Sequence, residues 1–142
     1  MAVIQVYVDG SYNPRTSIFG SGAIIVRDNN ILHEFSAAGP EASPLARYRN
    51  VAGEIYAAIT ALDLVKGYFY KPGDEVQLYY DYEGLGKWPT GQWSTNNTLS
   101  QTYAQVVKEM PFELKYFKVK AHANNVYNER ADKLARKAVG LS

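Results

Sequence analysis

Hydrophobic residues in this chain follow two periods, one typical of strands and one typical of helices. Three short β-rich runs fill the first 35 residues, and the turn sequences Asp9-Gly10 and Asp28-Asn29-Asn30 separate them. From Ile55 onwards, apolar residues recur at the i, i+3, i+4, i+7 spacing of a helix, which Gly67 is expected to end. The patterns predict strands at residues 3–8, 23–26, 31–35, 75–80 and 112–119, and helices at 55–66, 83–88, 99–110 and, after an Asn128 cap, 129–138.

The order of these elements, β-β-β-α-β-α-α-β-α, predicts an α/β fold in one domain covering residues 1–142. Three strands in a meander are antiparallel, and the two later strands, reached through helices, join the sheet in parallel. We therefore expect a five-stranded mixed sheet with helices on its faces. Ligand chemistry in such folds collects at the carboxyl ends of the strands.

Four acidic residues stand at the ends of predicted elements: Asp9 and Asp81 end strands, and Glu54 and Asp132 begin helices. Taken singly, each has an ordinary explanation as a turn residue, a cap or a first-turn acid favoured by the helix dipole. Taken together, they place four carboxylates around one spot, where they repel one another unless cations neutralise them. Oxygen ligands suit Mg²⁺ or Mn²⁺, and two such ions can promote in-line attack on a phosphodiester.

His122 lies in a polar loop before the last helix, next to the Asn-rich sequence Ala123-Asn124-Asn125. The pKa range of histidine suits a proton relay near a leaving group. The alternative is an ordinary exposed loop histidine. His33, in the predicted hairpin, has no acidic neighbours in sequence and is interpreted as a surface residue.

Composition excludes several classes of protein. Because Cys is absent, the chain has no disulfide framework, thiolate metal site or cysteine nucleophile. No apolar run approaches the length of a membrane span, and the N-terminus lacks the pattern of a signal peptide, so we expect a cytoplasmic monomer without membrane contact. The net charge of +1 does not by itself suggest a nucleic-acid partner, although residues 113–142 carry seven Lys and Arg against three acids.

Four motifs, in order along the whole chain, resemble type 1 ribonuclease H. They are YVDGS at residues 7–11, NVAGEIYAA at 50–58, YYDY at 79–82, and the segment from His122 to the Asn128-Glu-Arg-Ala-Asp132-Lys-Leu-Ala sequence. The last motif is the most specific of the four. The sequence around Asp81 is most similar to bacterial enzymes that carry an N-terminal viroplasmin-like hybrid-binding domain, so we expect residues 1–142 to correspond to an isolated catalytic domain of this kind.

This resemblance implies endonucleolytic cleavage of the RNA strand in RNA–DNA hybrids, leaving 3′-hydroxyl and 5′-phosphate ends. It implies that Asp9, Glu54, Asp81 and Asp132 hold two Mg²⁺ ions, for which Mn²⁺ can substitute, and that His122 assists the leaving group or product release. Substrate-binding positions are implied as well. Asn50 and Asn13 would read 2′-hydroxyl groups, and a DNA phosphate would meet three residues, Arg47, Arg49 and Asn96.

The sequence also departs from the family pattern. The loop after Asp9 is not Gly-rich around Asn13, Val51 replaces a polar residue of many relatives, and residues 89–98 hold no Lys or Arg where relatives carry a basic protrusion. We therefore expect a modest, salt-sensitive grip on the hybrid, or help from another domain. Arg47 and Arg49 could also be solvated loop charges, and Trp88 and Trp93 could line the DNA path or pack between helix and sheet.

Three other functions stay open at this stage. The first is a non-catalytic hybrid-binding or RNA-binding module, which would have no reason to keep four repelling carboxylates. The second is a DNA-directed nuclease or integrase of the same superfamily, which Asn50 and the motif ending at Asp132 disfavour. The third is a ribonuclease H domain derived from a retroelement, which would share all of the chemistry.

Overall fold

A five-stranded mixed sheet forms the centre of the computed structural model, which describes residues 1–119 and 125–141. The strands lie in the order β3-β2-β1-β4-β5. They are β1 (Val3–Asn13), β2 (Ile18–Arg27), β3 (Asn30–Ala38), β4 (Glu75–Tyr80) and β5 (Leu114–Lys118). The first three are antiparallel neighbours, whereas β4 is parallel to β1 and β5 is parallel to β4. The predicted fold class is confirmed.

The helices are α1 (Asn50–Leu64), α2 (Gly84–Lys87), α3 (Thr98–Lys108) and α4 (Val126–Ala138). A short 3₁₀ helix, Pro44–Tyr48, precedes α1, and a π-helical turn, Val65–Phe69, follows it. The helical path therefore continues past Gly67, where the sequence predicted its end. Among the described residues, no helix is long and apolar enough to cross a membrane.

The two faces of the sheet are covered by different helices because side chains alternate along each strand. Ile4, Val6 and Val8 of β1 point towards α1 and belong to the larger core cluster. Tyr7 points the other way and joins Ile24, Val26 and Ala131, the last of which lies on α4. The result is a three-layer arrangement in which α1 and α4 approach the same two central strands from opposite sides.

Two boundaries near the acidic residues differ from the predicted ones, and each has a local reason. Asp9-Gly10 was predicted as a turn, but β1 runs on to Asn13 because β2 continues as its partner, with Asp9 opposite Gly22. The last helix begins at Val126 because the Asn125 side chain accepts hydrogen bonds from the N–H groups of Tyr127 and Asn128. Asn128, predicted as the cap, is itself inside the helix. Consequently Asp132 lies in the second turn, not the first.

Glycines allow both helices to lie directly on the sheet. A Cβ atom at Gly10 would collide with the backbone of Asn50 and Glu54 on α1, and one at Gly53 would collide with the carbonyl of Gly20. A Cβ atom at Gly22 would collide with the backbone of α4 at Ala131. These collisions are with backbone atoms, so they cannot be relieved by a change of side-chain rotamer.

We expect Gly22→Ala to lower the free energy of unfolding by about 1–3 kcal/mol, because overpacking forces α4 away from β2. The matched control is Gly67→Ala, where no atom lies within 4 Å of the new methyl group. This control should be neutral or stabilise the protein by about 0.5–1 kcal/mol, because it reduces the entropy of the unfolded chain. Urea unfolding measures both, and equal stability of the two variants would contradict the packing argument.

Candidate active site

The parallel pairing of β1 with β4 ends at Tyr7 and Tyr79, and the two acidic residues beyond that point are Asp9 and Asp81. Asp9 is half-buried, and its Oδ1 accepts a hydrogen bond of 2.9 Å from the N–H of Gly10. Asp81, immediately after β4, is exposed. The two carboxylates predicted to share an edge of the sheet therefore arise from adjacent strands at that edge.

Glu54 is the buried member of the acidic set, with 1% of its surface exposed. It lies in the second turn of α1, and its Oε1 accepts hydrogen bonds from the N–H of Asp81 at 2.7 Å and of Tyr82 at 3.1 Å. Ser21 fixes the preceding residue by donating a hydrogen bond of 2.6 Å to the carbonyl of Gly53. The backbone that follows β4 therefore holds Glu54 directly, and β2 holds the residue before it. The sequence placed Glu54 at the start of a helix, whereas α1 begins at Asn50.

Asp132 reaches the site from the opposite face of the sheet. The buried residues Ala131 and Ala135 seat α4 against β2. Because Gly22 contacts the backbone of Ala131 and pairs with Asp9, Asp132 lies near Asp9, and its charge contributes to the raised pKa of Asp9. The Asp132 side chain is 48% exposed, and its Oδ2 lies 4.0 Å from Nη1 of Arg136.

The electrostatics of the site disfavour negative charge on its two inner acids. Burial, followed by the charge of Glu54, raises the pKa of Asp9 to about 8, and the N–H of Gly10 acts in the opposite direction. Burial raises the pKa of Glu54 to about 7, although the N–H groups of Asp81 and Tyr82 act in the opposite direction. Both shifts come mainly from burial, and a neighbouring carboxylate adds to each.

The donor set fits a hard divalent cation. All four side chains offer oxygen atoms, and none of the ion pairs in residues 1–119 and 125–141 involves Asp9, Glu54 or Asp81. Within the same ranges, no three acidic or His side chains are close enough to form a metal site as they stand. The carboxylates instead interact in pairs, Asp9 with Glu54, Asp9 with Asp132 and Glu54 with Asp81.

Predicted substrate contacts from the loop before α1 lie around the same edge. Asn50 is exposed at the first position of α1, and its carbonyl packs against Gly10. Arg49 precedes it with φ 54° and ψ −130°, a conformation that non-glycine residues rarely adopt, and its guanidinium lies 5.6 Å from the centre of the Tyr12 ring. Arg47, also exposed, lies 4.9 Å from the centre of the Tyr48 ring.

Asn13 and Asn96 occupy different environments. Asn13 is buried, its Nδ2 donates to the carbonyl of Val139 at 2.8 Å, and its Oδ1 accepts from the N–H of Arg15 at 3.0 Å. Its amide is thus engaged within the fold. Asn96 is exposed and lines a cavity of about 490 Å³ together with three aromatic residues, Tyr82, Trp88 and Trp93.

Of the two roles considered for the tryptophans, the structure supports packing for Trp88. The Trp88 ring lies 6.4 Å from that of the buried Tyr103 and 6.2 Å from that of Trp93, so it packs towards the core. Both tryptophans also line the cavity that Asn96 borders. His122, the predicted proton relay, lies outside the described residues.

Sequence reasoning missed two residues of this region. Tyr12 supports the guanidinium of Arg49, and Lys118, at the end of β5, lowers the pKa of Glu54 through its charge. No motif marks either residue. Lys118 pairs with Tyr80 because β5 lies beside β4 and parallel to it, so that both strands end at the same edge of the sheet. The sequence did not predict that these two strands are neighbours.

Comparison with known proteins identifies the family. A ribonuclease H of Acetivibrio thermocellus is 31% identical over 95% of this chain and 93% of its own length, and one of Bartonella tribocorum is 34% identical over 96% and 89%. The solved structure of LC11-RNase H1, isolated from compost, has a TM-score of 0.77 at 26% identity and covers 98% of this chain and 96% of its own. The RNase H1 of Halobacterium salinarum, 23% identical over 96% of this chain and 97% of its own, shares the fold with a TM-score of 0.75. The model of the RNase H family matches residues 1–140, and the chain belongs to that family.

Proposed function

We propose that this protein is an endoribonuclease that hydrolyses the RNA strand of RNA–DNA hybrids and leaves 3′-hydroxyl and 5′-phosphate ends. The observation that carries the proposal is the placement of the four acids around one edge of the sheet. Asp9 and Asp81 follow the end of the β1–β4 pairing, Glu54 accepts a hydrogen bond from the N–H of Asp81, and Gly22, opposite Asp9, contacts the backbone beside Asp132. Family membership supports the proposal. The solved structure of LC11-RNase H1 in complex with an RNA/DNA hybrid supports it as well. That structure shares this fold with a TM-score of 0.71 at 22% identity, over 96% of this chain and 99% of its own.

Asp9, Glu54, Asp81 and Asp132 are the residues that would hold two Mg²⁺ ions, or Mn²⁺ in their place. When bound, the ions supply Lewis acidity that lowers the pKa of the attacking water and neutralises the departing 3′ oxygen. Asp9, whose pKa is raised to about 8 by burial and by the charge of Glu54, would be ionised when it holds a cation. Glu54 keeps its position through the N–H groups of Asp81 and Tyr82.

The remaining assigned residues recognise the substrate or move protons. Asn50, exposed at the start of α1, would hydrogen-bond a ribose 2′-hydroxyl, which distinguishes RNA from DNA. Arg47, Arg49 and Asn96 would contact a phosphate of the DNA strand. His122 would protonate the leaving group or assist product release. Asn13 contributes by holding the loop after β1, because its amide is engaged with Val139 and Arg15.

The main competing function is hybrid binding without catalysis. Burial of Glu54 next to Asp81 and of Asp9 next to Asp132 favours catalysis, because a binding surface gains nothing from desolvated carboxylates. A domain derived from a retroelement would share this chemistry. An N-terminal hybrid-binding domain elsewhere in the same polypeptide would supply affinity that residues 89–98, without Lys or Arg, do not provide.

Cleavage assays test the proposed activity. We expect labelled hybrid RNA to be cut in Mg²⁺ and not in EDTA, while double-stranded RNA and double-stranded DNA stay intact. Asp9→Asn should lower the rate at least about a hundredfold, because it removes charge that holds the cation. Asp63→Asn, which changes an exposed acid on α1, is the matched control and should keep the activity. Hybrid cleavage that survives Asp9→Asn would overturn the assignment.

Stability in EDTA tests the electrostatics of the site. A raised pKa in the folded state means that the stability contributed by Asp9 is present near pH 4 and is lost as the pH rises towards 8. Asp9→Asn should therefore be more stable than the wild type by roughly 1–3 kcal/mol at pH 8.5, with a smaller difference at pH 5.5. Saturating Mg²⁺ should reverse the order at pH 8.5. Urea unfolding measures the difference, and equal stabilities in EDTA at pH 8.5 would count against the argument.

Hybrids with one altered ribose test the role of Asn50. We expect Asn50→Ala to lower kcat/KM by roughly tenfold, the value of one or two hydrogen bonds to a hydroxyl group. The same variant should lose nothing further on a hybrid whose contacted ribose is replaced by deoxyribose, since the partner hydroxyl is already absent. Asn30→Ala, an exposed amide in the distant hairpin, is the control. Additive losses from the variant and the deoxyribose would exclude a direct contact.

A further inference from the structure

Lys118 occupies the carboxyl end of β5, at the edge of the sheet that carries the acidic residues. It pairs with Tyr80, the residue immediately before Asp81, and the N–H of Val119 donates to the carbonyl of Tyr80 at 2.7 Å. Neighbouring strands lie roughly 4.8 Å apart, so β5 is about 10 Å from the strand that carries Asp9. An extended lysine side chain on β5 can therefore contact a nucleotide next to one that lies against Asp9.

A cavity of about 360 Å³ opens between α2 and β5 beside this lysine. Its lining includes Tyr80, Tyr116, Glu83, Lys87 and Lys118. Nζ of Lys87 lies 2.6 Å from Oε1 of Glu83, so the charges of these two residues offset each other. Lys118 is exposed and makes no ion pair within the described part of the chain. The cavity therefore presents one positive charge that no carboxylate pairs with directly.

The two lysines of β5 are in different situations, although only three positions separate them. Lys115 points to the opposite face of the sheet, where its Nζ lies 2.7 Å from Oε1 of Glu75. Lys118 points to the face of α2, and its charge is felt by both Glu54 and Glu83. Of the two, only Lys118 lies at the active-site edge with an ammonium group available to a ligand.

We infer that Lys118 binds a backbone phosphate of the RNA strand, next to the scissile phosphate on the β5 side of the site. The inference rests on the proposed function, since the RNA strand must cross the carboxylates at the ends of β1 and β4 to be cut. A strand that lies across that edge and continues towards β5 passes Lys118, the cation that ends β5 within the described part of the chain. The ammonium group there offsets phosphate charge that the neighbouring carboxylates would otherwise repel.

Steady-state kinetics on hybrid at several salt concentrations test this contact. We expect Lys118→Ala to raise KM roughly three- to tenfold with little change in kcat, the effect of one exposed ion pair. The slope of log KM against log salt should fall by about one, because one fewer counterion is released on binding. Lys115→Ala, on the same strand, should match the wild type. Thermal unfolding in parallel confirms that both exposed substitutions leave the fold intact.

A second measurement identifies the strand and the phosphate. The substrates are a set of hybrids with a short ribonucleotide segment and one cleavage site. Each hybrid carries one neutral methylphosphonate, placed at a single position of either the RNA strand or the DNA strand. The wild type should lose affinity when the RNA phosphate next to the cut is neutralised, and Lys118→Ala should lose nothing further on that substrate. Coupling to a DNA-strand phosphate instead, or equal effects of Lys115→Ala and Lys118→Ala, would overturn the inference. Absence of any cleavage by the wild type would instead reject the proposed function.

Discussion

The buried carboxylate of Glu54 ties the first helix to the end of β4, and the geometry of the acidic site depends on that contact. Its oxygens receive the N–H groups of Asp81 and Tyr82, which are the first residues after the strand. A buried carboxylate is costly unless it is hydrogen-bonded, so these two donors make the position tenable. The same two hydrogen bonds fix where the chain leaves the sheet, and therefore where Asp81 lies relative to Asp9.

The second constraint is the distance between helices and sheet. Gly10, Gly53 and Gly22 let backbone meet backbone on both faces of the central strands, so α1 and α4 approach the same stretch of β1 from opposite sides. Asp9 is therefore flanked by Glu54 and Asp132, two residues 78 positions apart in sequence. Three separate layers contribute one carboxylate each. A site assembled in this way is rigid without any disulfide, because the packing that forms the core also positions the acids.

Much of this arrangement could be predicted from the sequence, and the exceptions are instructive. The strand Glu75–Tyr80 and the order of elements follow from alternation and helical periodicity, which report burial directly. The end of β1 did not follow, because Asp9-Gly10 has turn chemistry that the long partner β2 overrides. Asn125 and Asn128 are equally good caps by composition, and only the packed start of α4 separates them. The hydrogen bond from Asn13 to the carbonyl of Val139 joins residues 126 positions apart, a contact that no local pattern encodes.

The near-neutral composition leaves affinity for a polyanion to a few well-placed cations. Residues 89–98 contain no Lys or Arg, and among the described residues Arg49 and Lys118 place positive charge near the acidic edge. Tyr12 lies against the guanidinium of Arg49, which reduces the entropy lost when that side chain orders on a phosphate. Each such cation adds only a modest free energy in water. Binding by a small number of positioned charges should therefore be weak at high salt. It should also depend on the exact path of the nucleic-acid backbone, whereas a flexible basic loop would bind backbones that follow many different paths.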